Sequence, residues 1–162
     1  MPATYEPIAT TTLGSAAATI SFTSISSAYT DLRLVINASL TANAGVWARF
    51  NNDSGSNYSD TTLEGNGTSA TSARNSNNTE IPVTYVYANQ WSFGALNVFS
   101  YAGSTNKTSL TERASDNNGS GEVLRAVSLW RNTAAINRID LILYSGQFKI
   151  GTTATLYGIK NA

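Results

Sequence analysis

Apolar residues along this chain recur with a period of two. Ile20 and Phe22 alternate with Ser21 and Thr23, and Leu32, Leu34 and Ile36 with Arg33, Val35 and Asn37. The same alternation runs through Val46, Ala48 and Phe50, through Ile139, Leu141 and Leu143, and through Ala154, Leu156 and Gly158. Such alternation places one set of side chains on each face of an extended strand, and Thr, Val and Ile favour that backbone. Turn-forming clusters separate the runs: 51–57, 64–67, 115–121 and Ser145-Gly146, the last read as a hairpin turn between two apolar runs. No window shows the helical period. The pattern predicts about eight to ten antiparallel strands in one domain, an all-β sandwich or barrel with negligible helix. Thr68–Thr79, almost without apolar residues, is expected to be a long exposed loop or an arm that orders on a partner. Residues 1–12 read as an N-terminal arm or first strand, and 13–162 as the sandwich.

Composition sharpens this picture. Charged residues are only 12% of the 162, with 10 basic and 10 acidic side chains and a net charge of +0. Ser, Thr and Asn make up roughly a third of the chain. Nucleic-acid and anionic-membrane binding draw on clustered Lys and Arg, so neither partner is expected. A neutral surface instead suits association with other proteins, because little charge must be desolvated. No apolar run is long enough for a spanning helix, and the N-terminus lacks the basic and apolar regions of a signal peptide.

The inventory of reactive groups is short. His and Cys are both absent, which removes the commonest general bases, nucleophiles and transition-metal ligands. Asp60 and Glu64, four apart on one strand face, are the nearest approach to a glycosidase pair; both read as solvated. Asp53 sits in a segment better explained as an Asx turn than as a calcium loop. The sequons at Asn37, Asn57, Asn66, Asn77, Asn106 and Asn118 are expected by chance in a chain this rich in Asn, Ser and Thr. No enzyme activity, metal or cofactor is expected. Aromatic residues stand out between Thr84 and Tyr101, where Tyr85, Tyr87, Trp91, Phe93, Phe99 and Tyr101 crowd together, as core and strand-edge packing, as anchors of a subunit interface or as platforms for sugar rings. The candidate protein interface comprises Tyr5, Ile8, Trp47, Tyr85, Tyr87 and Trp91.

Several segments in order resemble small tailed-phage virion proteins. They are Tyr5-Glu-Pro-Ile-Ala-Thr10, Ile20-Ser-Phe22 and the run 25–34; Arg49-Phe-Asn51, Gly55-Ser-Asn-Tyr58 and 63–67; and 129–136 with Thr155-Leu-Tyr-Gly-Ile159. The resemblance implies an all-β, antiparallel jelly-roll-like β-sandwich on the virion, of the capsid decoration (cement) or appendage type, with no catalytic residues to carry over. The expected role is a decoration protein on the outer surface of the capsid. It would bridge major capsid subunits and associate with itself as a homotrimer. The alternative is a tail-fibre or appendage subunit that binds host surface glycans. The absence of fibre repeats or coiled-coil heptads in a chain that starts at Met1 favours decoration. The segment 1–12 is expected to add a strand to a neighbour's sheet edge, or to serve as the first strand of its own sandwich.

Overall fold

The period-two runs form strands in the computed structural model, which describes residues 4–160. In chain order these are β1 (Tyr5–Thr12), β2 (Thr19–Phe22), β3 (Asp31–Ser39), β4 (Ala44–Phe50), β5 (Tyr58–Gly65) and β6 (Ala70–Asn78). They continue with β7 (Ile81–Val86), β8 (Trp91–Phe99), β9 (Lys107–Ser115), β10 (Glu122–Trp130), β11 (Ile139–Leu143) and β12 (Thr153–Ile159). Twelve strands exceed the eight to ten expected, and no helix occurs among the described residues. The strands build two antiparallel sheets, one of eight in the order β1-β12-β3-β8-β9-β10-β5-β6 and one of four in the order β2-β11-β4-β7.

The quartet β1-β12-β3-β8 facing β2-β11-β4-β7 has the strand order of an eight-stranded jelly roll. The remaining strands are two hairpins. β5–β6 interrupts the passage from β4 to β7, and β9–β10 the passage from β8 to β11. Both hairpins join the same sheet, in the order β9-β10-β5-β6, and extend it past the small sheet.

The core follows the predicted alternation. Leu32, Leu34, Ile36, Val46, Ala48, Phe50, Ile139, Leu141, Ala154 and Leu156 are all buried, one parity of each run. Leu143 is partly buried against them. Gly94 on β8 lets the sheets close. A Cβ there would lie 2.9 Å from both the Thr84 Cβ and the Val83 carbonyl oxygen of β7. Thr84 Oγ1 uses the proximity to donate to the Phe93 carbonyl at 2.9 Å.

Polar side chains root the two inserted hairpins. After β4, Asn51 and Asn52 take positive φ and the chain turns. The Gly55 amide donates to Asp53 Oδ1 at 2.9 Å, the expected Asx turn. Asp53 also accepts from Trp130 Nε1 at 2.7 Å, and Trp130 stacks on Tyr58 beside Phe50. One carboxylate thus ties the start of β5 to the end of β10. At the other root Lys107 is buried, with Nζ donating to the carbonyls of Gly103, Thr105 and Thr133.

Three expectations are corrected. The segment Thr68–Thr79 is not a loop: Ala70–Asn78 is edge strand β6, in register with β5 from Tyr58↔Asn78 to Gly65↔Ala70. Its side chains are nearly all exposed on both faces, so no apolar alternation could mark it. Ser145-Gly146 is not a hairpin turn: it lies between β11 in the small sheet and β12 in the large one, with Gly146 at φ 70°. Asp60 is not solvated but buried on the inner face of β5. The described part of the segment 1–12 forms β1, paired with β12 of its own sheet. Met1, Pro2 and Ala3 lie outside the described residues.

Candidate interaction surface

The outward face of the large sheet is unusually apolar where the hairpins extend it. Leu63 (β5), Trp91, Phe93 and Phe99 (β8), and Val123 and Val127 (β10) are 38–61% exposed. Register places all six on the side opposite the core, because their neighbours Glu64, Ser92, Val98, Leu124 and Ala126 face inward. The pairing Phe93↔Ala114↔Val123↔Gly65↔Ala70 makes one row across five strands in which large side chains alternate with small ones. Small residues leave dips between large ones, so the row is ridged. A groove of about 520 Å³ runs over Leu63, Ala70, Phe93, Ala114 and Val123, and continues past Trp91 and Gly67.

Charge on this face is sparse, and part of it is paired within the face. Glu112 accepts from Arg125 at 2.9 Å and lies 3.9 Å from Arg33 Nη2, and Arg33 donates to Asn97 at 2.8 Å. An apolar, ridged surface with few unpaired charges has the composition of a protein–protein contact core.

The inward face of the same extension is different. Past the β7 edge of the small sheet it opens as a polar cleft of about 350 Å³, lined by Trp47, Asp60, Thr62, Glu64, Asn75, Asn78, Glu80, Pro82, Arg113 and Leu124. Asp60 accepts from Asn75 at 3.1 Å and Asn78 at 2.6 Å. Burial pushes its carboxyl above the usual range, and the two amide donors only partly oppose this. Arg113 bridges Glu64 at 2.9 Å and Glu122 at 2.7 Å. Its guanidinium lies 5.9 Å from the centre of the Tyr85 ring.

The six candidate interface residues do not form one patch. Trp47 lines the polar cleft and meets Tyr144 edge-on at 6.3 Å, whereas Tyr85 lies against Arg113 of the cleft and meets Tyr87 edge-on at 5.2 Å. Trp91 lies on the outer apolar face, half exposed. Tyr5 is exposed on edge strand β1, whereas Ile8 packs against the core next to a bulge. Within the aromatic run, Tyr101 is buried, its hydroxyl donating to the Ser26 carbonyl.

Sequence reasoning missed Leu63, Val123 and Val127. The available signal was β10 itself, Glu-Val-Leu-Arg-Ala-Val-Ser-Leu-Trp, which is apolar at both parities. Such a strand has two faces to cover, and here the chain covers one.

Compared with known proteins, the chain matches no family model, no curated protein and no solved structure.

Proposed function

We propose that this chain is a structural protein of a tailed-phage particle, a capsid decoration (cement) protein that clamps neighbouring major capsid subunits from outside the head. It performs no catalysis and works through surface contact. The observation that carries the reading is the outer apolar face, with six large side chains exposed together on β5, β8 and β10. A face of this kind is costly to leave in water, and burying it against a partner returns about 25 cal/mol per Å². Its ridged row and sparse charge suit a protein partner. The ordered resemblance to virion sandwiches supports a capsid subunit as that partner. Several weak contacts made by an associated trimer would act together as one clamp.

The test is cosedimentation of purified protein with undecorated heads of the phage that encodes it. Wild type is expected to pellet with heads and to raise their heat resistance. Val123→Asp, on the exposed face, should remain folded but lose at least tenfold in binding, because it carries an unpaired charge into the contact. Equal binding by the variant would remove the apolar face from the account. Binding to tails or host cells in place of heads would favour the appendage reading.

A further inference from the structure

The polar cleft has features that the decoration role does not use. It lies on the opposite side of the extended sheet from the apolar face, because Glu64 and Leu124 alternate with Leu63 and Val123. A copy seated by its apolar face therefore leaves the cleft open.

Its chemistry is mixed in a specific way. Trp47 lines the cleft, and Tyr144, 66% exposed, packs against it. Exposed aromatic rings beside polar groups suit a ligand with one apolar face and a rim of hydroxyls.

Donors and acceptors with capacity to spare stand close by. The Asp60 carboxylate accepts one N–H at each oxygen and has no cationic partner among its hydrogen bonds. Carboxylate oxygens retain further lone pairs. Arg113 Nε is buried and has no hydrogen-bond partner, although its side chain is only 10% exposed. A spare acceptor and a spare donor in one cleft match a hydroxylated ligand, whose O–H groups both give and accept. The lining holds Asp60, Glu64 and Glu80 against Arg113, an acidic excess that disfavours anionic ligands. The volume lies at the lower end of small-ligand pockets, about 300–1,000 Å³.

We propose that the cleft beneath the β5–β6 overhang binds a neutral oligosaccharide, with Trp47 and Tyr144 stacking on a sugar ring and Asp60, Asn75 and Arg113 meeting its hydroxyls. The site belongs to the face turned away from the partner contact, so one protein surface anchors the molecule and the other captures glycan. Binding of a single short oligosaccharide is expected to be weak and to gain strength from many copies.

The experiment titrates the isotope-labelled full chain with four neutral probes: the tetrasaccharides of β-1,4-glucose, β-1,4-N-acetylglucosamine, α-1,6-glucose and α-1,6-mannose. At least one should shift the Trp47 indole N–H saturably and leave that of Trp91 in place. Tyr144→Ala, at an exposed position, should keep the wild-type melting temperature and weaken that probe at least tenfold. Trp91→Ala should bind as wild type. The proposal fails if no probe shifts Trp47, if the shifts map to Trp91 and Phe93, or if Tyr144→Ala binds undiminished. Loss of head binding leaves these readouts unaffected, so the two proposals fail separately.

Discussion

Single side chains decide how firmly the hairpins and the small sheet are held. Asp140 on β11 accepts two hydrogen bonds from Arg138 Nε, at 2.8 and 3.0 Å, and one from Ser21 of β2 at 2.6 Å. Burial alone would raise its carboxyl, but these donors outweigh it and hold the group below its ordinary 3.8. A carboxyl whose folded value is depressed stabilises the fold above its unfolded value and stops doing so as pH falls through the folded one. Asp140→Asn should therefore lower urea stability at pH 7 by roughly 1–3 kcal/mol. The gap to wild type should shrink below pH 3.8, where the wild-type carboxyl also becomes protonated. A gap that stays constant with pH would show that the ion pair is not its source. Gly94 makes the complementary case from packing. Gly94→Ala pushes a methyl group against the β7 backbone and should cost about 1–3 kcal/mol. Gly14→Ala, with nothing within 4 Å, should leave the melting temperature unchanged. Equal melting of the two variants would show that the sheets do not depend on this close approach.

At the scale of elements, the sequence was readable where one face of a strand is buried and the other wet. β3, β4 and β12 follow the predicted parity because Leu34, Val46 and Leu156 have a core on one side and solvent on the other. β6 escaped because a strand exposed on both faces leaves no hydrophobic trace; its backbone pairing with β5 alone defines it. Asp60 escaped for a related reason: its burial depends on Asn75 and Asn78, which only that pairing brings near. The aromatic run between Thr84 and Tyr101 was visible, but not its division. The turn at Ala88–Gln90 separates Tyr85, which lies against Arg113 of the cleft, from Trp91 and Phe93 on the outer face. The candidate site was thus half legible: the residue types could be named, and their grouping on two opposite faces required the topology. The hairpin extension carries half of the proposed contact, Leu63, Val123 and Val127. Replacing Thr61–Asn78 by a short Gly-Ser linker should remove the overhang and Leu63 while leaving the jelly-roll core folded. Circular dichroism should remain that of an all-β protein, and head binding should fall. Complete unfolding of this variant would show that the whole of β5–β6 is integral to the core, as its buried first residue Tyr58 is.

For the whole molecule, the division of labour follows from the sheet extension. The jelly-roll half supplies stability, and the extension presents an apolar face on one side and a polar cleft on the other. A chain of 17.2 kDa with so little charge should associate with itself through surfaces other than the apolar face that meets the capsid. Light scattering is expected to report a trimer that Val123→Asp leaves intact; a wild-type monomer at high concentration would count against self-association. The measurement that bears most directly on the central claim is a cryo-electron microscopy map of the phage particle with the sandwich fitted into it. The account predicts density on the outer surface of the head, with Phe93, Val123 and Leu63 turned onto capsid subunits and Trp47 and Tyr144 turned to solvent. Density confined to the tail, or a head-bound copy with the apolar face turned to solvent, would contradict it.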